Sequence, residues 1–96
     1  MKLEFEWDDK KAQINFDKHG VNFEEAKTVF DDPFALIFDD PVHSFGEQRE
    51  IIIGYSTQNR LLLVCFTERN KNVIRIFSSR LTTKKERQDY EQNTIR

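Results

Sequence analysis

Residues 73–90 read VIRIFSSRLTTKKERQDY and gather more potential chemistry than any other stretch of the chain. Val73, Ile74, Ile76 and Phe77 are β-forming residues with Arg75 set among them. Thr83 and Glu86 have the Ser/Thr-x-x-Glu spacing that opens a helix. Arg80, Lys84 and Lys85 fall where the strand gives way to that helix. The register puts both lysines in the first helical turn, where the dipole is already positive and a further cation is unfavourable. A bound anion offsets that cost, because free N–H groups at a helix start and nearby cations suit a phosphate. Solvated lysines on a surface helix are the plainer reading, and the stretch by itself accommodates both.

Metal-free cleavage of RNA is one reaction such residues can perform. It needs a base for the 2′-hydroxyl, cations for the phosphate and an acid for the leaving 5′-oxygen. Residues of suitable type are Arg49, Arg69, Arg75, Arg80, Lys84, Arg87, Lys18, His19 and Tyr90. Arginine suits the clamp because its planar fork makes paired bonds to phosphate and stays charged. In a regular strand Arg75 points away from Arg80, since an odd separation puts side chains on opposite faces. A bulge, or the turn after Ser79, is needed to bring both to one site. His19 suits acid–base work because imidazole titrates near neutrality. It also falls at a helix end, where histidine is an ordinary capping choice. Tyr90 lies one turn beyond Arg87 and can donate a proton, stack on a base or simply anchor its helix.

Asp39, Asp40 and His43 bring two carboxylates and an imidazole within five positions, but no fourth ligand accompanies them, and Asp-Asp-Pro reads equally well as a turn. No metal and no cofactor is therefore expected. A Gly-rich phosphate loop, a G-x-S-x-G elbow, a cysteine pair and H-E-x-x-H are all missing from the sequence.

At 96 residues the chain suffices for one domain, residues 1–96, with a modest core. Hydrophobic residues make up only 38% against 33% charged, so the nine Phe must supply much of the core bulk. Cys65 is the single cysteine, which excludes an intrachain disulfide. Within LLLVCF it reads as a small buried apolar residue rather than a nucleophile. The opening MKLEFEWDDKK lacks the apolar run of a signal peptide, and no segment is long and apolar enough to span a bilayer. A soluble cytoplasmic protein with no membrane partner is expected. The net charge of −2 conceals a division. Residues 1–50 hold six Lys/Arg and thirteen Asp/Glu, whereas residues 51–96 hold nine and four. Such segregation points to an anionic ligand on the basic half, or to attraction between the halves across the fold.

The elements that must position these groups follow from periodicity. Leu3, Phe5 and Trp7 alternate with Glu4 and Glu6 as in a half-buried strand. Asp8 or Asp9 caps a helix reaching His19, with Ala12 and Phe16 on its buried face and Gly20 as its stop. Asn22 opens a second helix, boxed by Glu25, stapled from Val21 to Ala26 and ended by Pro33. The two form a helical hairpin. Strands are expected at residues 34–38, 49–55, 61–66 and 73–79, with a loop at 39–47, turns at 57–59 and 68–72, and the strand at 61–66 buried on both faces. The order is β-α-α-β-β-β-β-α, an α+β domain whose last four strands form an antiparallel meander. Its core should contain Phe16, Phe23, Phe30, Leu62, Val64, Phe66 and Ile76.

The segments FEWDDKKAQINFDKHGVNFEEAKTVFDDP, REIIIGYS, LLLVCFTER and IRIFSSRLTTKKERQDYE, in that order, resemble the BrnT toxins of bacterial type II toxin–antitoxin pairs. The resemblance runs from Phe5 to Glu91 and rests on KHGV-F-EA together with IRI-S-R-T-KER-Y. One departure is Phe77-Ser78-Ser79, where the family commonly has Ile-Ser-Ala. The resemblance implies a RelE-like fold and a ribonuclease that arrests translation. It also implies a BrnA-type antitoxin partner with a ribbon-helix-helix domain, through which the pair binds operator DNA and represses its own operon. On that reading a 2′-hydroxyl attacks the adjacent phosphate of RNA and leaves a cyclic phosphate. Arg80 and Arg75 are assigned to the phosphate, with Lys84 and Arg49 in support and His19 or Tyr90 for proton transfer. Lys18, Arg69, Lys85 and Arg87 complete the expected RNA-binding surface. Two other classes fit the same residues. One is a nucleic-acid-binding or interaction domain that leaves RNA intact and binds with steep salt dependence. The other is an inactive toxin relative retained as a co-repressor.

Overall fold

Ten consecutive residues from Leu61 to Asn70 form the central strand, and the other elements arrange themselves by which of its faces they cover. A computed structural model describes residues 2–94. In chain order these form β1 (Glu4–Glu6), α1 (Asp9–His19), α2 (Phe23–Ala26), a 3₁₀ turn (Lys27–Asp31), β2 (Leu36–Asp39), a second 3₁₀ turn (Pro41–His43), β3 (Glu50–Tyr55), β4 (Leu61–Asn70), β5 (Val73–Leu81) and α3 (Lys84–Thr94). The sheet order is β1-β5-β4-β3-β2. Strands β2 to β5 form the expected antiparallel meander, and β1 closes the far edge parallel to β5.

Alternation along β4 divides the apolar residues between two faces. Leu62, Val64 and Phe66 point to the face covered by α1 and α2, where they join Val21, Phe23, Ala26, Val29, Ile52, Ile74 and Ile76. Leu61 and Leu63 point to the other face with Ile53 and Tyr90, under α3. Phe30 packs at the core margin, its ring edge-on to Phe5 and Phe66 at 5.2 and 4.9 Å. Phe16 departs from the expected core: it is 46% exposed, and its neighbour Asn15 is buried instead.

Asn15 displaces Phe16 because it does something no apolar residue can. Its amide donates to Val21 O at 3.0 Å and Ser79 O at 2.9 Å, and its Oδ1 accepts from Ser79 N–H at 3.1 Å. Strand β1 pairs with β5 only from Val73 to Arg75, so the outer edge of β5 beyond that point has no strand beside it. The Asn15 amide takes the missing neighbour's place. Ala12, Asn15 and His19 lie on one helical stripe, so this contact also sets where His19 lands.

The second helix is shorter than its sequence suggests. Asn22 caps it as expected, accepting from Glu25 N–H at 2.7 Å. After Ala26 it tightens to a 3₁₀ turn, where the Thr28 hydroxyl donates to Glu25 O at 2.7 Å and accepts from Thr57 N–H at 3.0 Å. The buried Glu25 carboxylate does not close a capping box. It binds the Arg60 guanidinium and the Ser56 hydroxyl, fastening the hairpin to the β3–β4 turn. Arg60 holds that carboxyl below the usual range against its burial, with Ser56 assisting. The 3₁₀ turn after α2 can sit directly on β3 because Gly54 lacks a Cβ, which would lie 3.0 Å from Val29 Cγ1 and 3.1 Å from Asp32 Oδ2. Five strand boundaries also move: β2 runs from Leu36 to Asp39 rather than 34–38, β3 begins at Glu50 rather than 49, and β4 and β5 run on past 66 and 79.

Asn15→Leu keeps the volume of the side chain but strips Ser79 N–H, Ser79 O and Val21 O of their partners. Each unsatisfied buried group costs roughly 1–3 kcal/mol. Chemical denaturation should show stability reduced by about 2–5 kcal/mol after partial relaxation. An unchanged midpoint would show that the amide is dispensable to the edge of β5.

Candidate active site

The β4–β5 ladder slips by one residue. Phe66 pairs with Ile76 and Cys65 with Ser78, so Phe77 is left over as a bulge. Directly opposed residues share a face. Arg75 pairs with Thr67, Ser78 with Cys65 and Arg80 with Leu63, which puts all three on the face away from the hairpin. The bulge thus reverses the odd-spacing rule that separated Arg75 from Arg80. It does not bring them together, because four ladder steps span ~13 Å at the usual strand rise. Arg75 instead binds Glu6 at 3.0 Å, and Arg69 reaches the same carboxylate at 3.8 Å. Both belong to the β1 end of the sheet.

Between α3 and the 40s loop the open face carries a cleft of about 450 Å³. Phe38, Val42, Ile51 and Leu63 form its apolar wall, and His19, Asp40, His43, Ser78, Arg80 and Glu86 supply its polar groups. Of the residues expected to transfer protons or hold phosphate, His19 and Arg80 meet here. The His19 ring has no hydrogen-bond partner among the described residues.

Arg80 is not the free side chain that its position after a strand suggests. Its Nη1 and Nη2 both bind Glu86 at 2.9 Å, and Nη1 also donates to Leu81 O at 3.1 Å. Glu86 is at the same time the capping-box partner of Thr83, with bonds of 2.8 and 3.2 Å between them. The guanidinium pulls the Glu86 carboxyl below the usual range against its burial, and Thr83 adds to this. Glu86 in turn raises Arg80 above its ordinary value, so the cation is secure. Glu86 occupies only the end-on fork of the guanidinium. The side-on fork, made of Nε–H and the remaining Nη2–H, has no partner among the described residues, and the side chain is 37% exposed.

Asp40 and His43, read from sequence as candidate metal ligands or turn residues, form a pair of their own. His43 Nδ1 lies 2.8 Å from Asp40 Oδ2, with the carboxylate 8% exposed and the imidazole 62%. Asp39 takes no part and accepts from Gln48 at 2.9 Å. No group of three metal-ligating side chains occurs among the described residues. The D-x-x-H spacing was the available signal for this pair, because a 3₁₀ turn brings positions three apart together. Arg49 approaches from the same side. Its guanidinium lies 3.8 Å from the centre of the bulged Phe77 ring, and it shares a smaller adjoining pocket with Asp40 and His43.

The other candidates lie elsewhere. Lys18 and Lys84 are exposed, Lys85 binds Asp89 at 2.7 Å, and Arg87 donates to the Tyr55 hydroxyl at 3.1 Å. Tyr90 does not reach the cleft. It is buried edge-on against Tyr55, and its hydroxyl donates to Asp32 Oδ2 at 2.7 Å. Burial and that carboxylate raise its phenol well above the ordinary value. The bond to Asp32 ties α3 to the segment after the first 3₁₀ turn.

The fold and cleft together define a small α+β protein with two imidazoles, a half-exposed guanidinium and an apolar wall on the open face of a five-stranded sheet. The sequence profile described as ribonuclease toxin, BrnT, of type II toxin-antitoxin system matches residues 7–86. The chain belongs to this family of ribonuclease toxins. Its fold is similar to the 1.1 Å crystal structure of the Brucella abortus ribonuclease toxin BrnT, with a TM-score of 0.67 and 21% identity over 86% of this chain and 100% of that one. No curated protein matches the chain. Among the described residues no helix is long and apolar enough to cross a membrane.

Tyr90→Phe tests the anchor. Burial opposes ionisation of Asp32, but the N–H groups of Tyr55 and Phe34 and the Tyr90 hydroxyl prevail and hold its carboxyl below the usual range. Losing a bond to a charged group should cost about 1.5–3 kcal/mol at pH 7. A depressed carboxyl stabilises above its unfolded value, about 3.9, and that contribution fades as pH falls through the folded value. Melting curves of variant and wild type should therefore converge below roughly pH 4, while ribonuclease activity persists. A variant that melts normally but cannot cleave RNA would return Tyr90 to the site.

Proposed function

We propose that this chain is a metal-independent endoribonuclease toxin whose cleft holds the phosphate of single-stranded RNA on Arg80. The observation that carries this reading is the open side-on fork of Arg80 in the same cleft as His19, in a chain of a ribonuclease family. The 2′-oxygen attacks the adjacent phosphorus, a base in the cleft takes its proton, and the 5′-oxygen leaves with a proton from an acid. A cyclic phosphate and a free 5′-hydroxyl result. Arg80 contributes most in the transition state, where negative charge gathers on the non-bridging oxygens. Glu86 aids this by fixing the guanidinium before substrate arrives, at the cost of part of its charge. Lys84, at the start of α3, and Arg49, beside the loop, add positive potential for the strand entering and leaving. Lys18, Lys85 and Arg87 belong to the wider approach surface, and Arg69 and Arg75 to its β1 end.

Cleavage of cellular RNA in the cytoplasm inhibits translation. The partner is a BrnA-type antitoxin with a ribbon-helix-helix domain, which covers the basic cleft with an acidic segment near Arg80 and Lys84. Through that domain the complex binds operator DNA and represses its operon. Association should then weaken as salt rises from low to physiological strength, measured by titration calorimetry. Affinity independent of salt would rule out an acidic segment as the blocking element.

Arg80→Ala should lower RNA cleavage on the order of a hundredfold or more and abolish growth arrest on induction. Excess chelator should leave the wild-type rate unchanged. Arg80→Lys should recover only part of the activity, since an ammonium lacks the fork. Full cleavage by a folded Arg80→Ala protein would remove Arg80 from the site. RNA bound but left intact by the wild-type protein would favour a binding domain or an inactive co-repressor.

A further inference from the structure

His43 and Asp40 are the groups in the cleft for which the reading above has no use, yet they are the most deliberately held. The Asp40 N–H donates to Arg49 O at 2.9 Å, the Ser44 hydroxyl donates to Asp40 O at 2.7 Å, and Arg49 N–H donates back to the Ser44 hydroxyl at 3.0 Å. These bonds close the 40s loop on itself, although most of its side chains are exposed. Val42 and Phe45 are 70% and 83% exposed, so apolar burial does not hold the loop in shape. Its internal hydrogen bonds do, and they present one imidazole to the cleft.

We infer that His43 is the general base of this site, that Asp40 is its positioning residue, and that His19 is the matching acid. This rests on the ribonuclease reading and deepens it. Asp40 Oδ2, 2.8 Å from Nδ1, accepts a hydrogen bond only when the proton is on Nδ1. That tautomer leaves the Nε2 lone pair free on a ring that is 62% exposed beside the cleft. A carboxylate with 8% exposure, fixed through its backbone at both N–H and C=O, gives the ring one orientation and stabilises the imidazolium formed when Nε2 takes the 2′-hydroxyl proton. His19 also lines the cleft, at the end of α1, with no hydrogen-bond partner among the described residues. It supplies the proton to the 5′-oxygen as the phosphorus–oxygen bond breaks. The exchange balances: one proton moves to His43, one leaves His19, and water later restores both. Arg80 lines the same cleft and Arg49 the pocket adjoining the dyad, so guanidinium groups border the space where a phosphate would meet the imidazoles.

The test is single-turnover cleavage of a short single-stranded RNA by the full chain without antitoxin. His43→Ala should lower the rate about a hundredfold or more with an unchanged melting temperature, and free imidazole should restore part of it. Asp40→Asn should lower the rate with little change in KM, because its amide favours the opposite tautomer. The acidic limb of the pH–rate profile should be lost in His43→Ala and shifted in Asp40→Asn. His43→Gln, which keeps polarity and length, guards against a folding defect and should be as slow as His43→Ala. Cleavage within threefold of wild type in folded His43→Ala, while Arg80→Ala is inactive, would overturn this assignment and leave the ribonuclease reading intact. A slow His43→Ala protein that imidazole does not rescue, with an unaltered pH profile, would also overturn it. Absence of any cleavage by the wild-type chain, with RNA bound or not, would overturn both.

Discussion

A buried amide sets the geometry on which the cleft depends. Asn15 replaces the strand that β1 is too short to provide, bonding both backbone groups of Ser79 and the carbonyl of Val21. Those bonds lie one residue before Arg80 and one helical turn before His19. The amide therefore fixes the edge of β5, the end of α1 and the start of α2 with one side chain. Without it, Ser79 would present an unpaired N–H and C=O inside the protein, a cost comparable to losing several net hydrogen bonds. The burial of asparagine in preference to the adjacent phenylalanine follows from that penalty.

A second constraint is the bulge at Phe77. It turns the basic end of β5 so that Ser78 and Arg80 share the open face with Leu63 and Cys65. It also offers an aromatic ring to Arg49, which is held there by stacking although its buried Nε–H has no partner among the described residues. A one-residue irregularity thus decides which side of the sheet is cationic. It matters because the opposite face is closed by the hairpin and cannot admit a ligand.

The charge division between the two halves of the chain proves to serve two ends. Glu6 of the acidic half binds Arg75 and Arg69, and Glu25 binds Arg60, so much of the segregation is consumed in holding the halves together. Arg80 is different, because its carboxylate comes from its own half and from the helix that follows it. Glu86 caps α3 through Thr83 and orients the guanidinium through its end-on fork, linking helix start and cation in one unit. Arg80 so held lines a cleft whose other wall is apolar. In that less polar setting a fixed guanidinium acts more strongly on a developing anion than it would in water.

The element order, the antiparallel meander, the helix caps at Asp8, Asn22 and Gly20, and the Thr83–Glu86 box were legible in the sequence, because each depends on residues within a few positions of one another. Most of the core was legible for the same reason, through alternation in β4 and β5 and helical spacing around Phe23 and Ala26. So was the family, whose motifs are local strings. What tertiary structure alone decided were matters of register and competition between distant groups. Whether Asn15 or Phe16 is buried depends on Ser79, sixty-four positions away. Whether Arg75 shares a face with Arg80 depends on how β4 pairs across the bulge. Whether Tyr90 reaches a ligand depends on Asp32, and whether His43 is a turn residue or a held imidazole depends on how Arg49 pins the loop around Asp40. These are contests over hydrogen bonds and ladder pairing between segments far apart in the chain. A single sequence read locally carries no term for them.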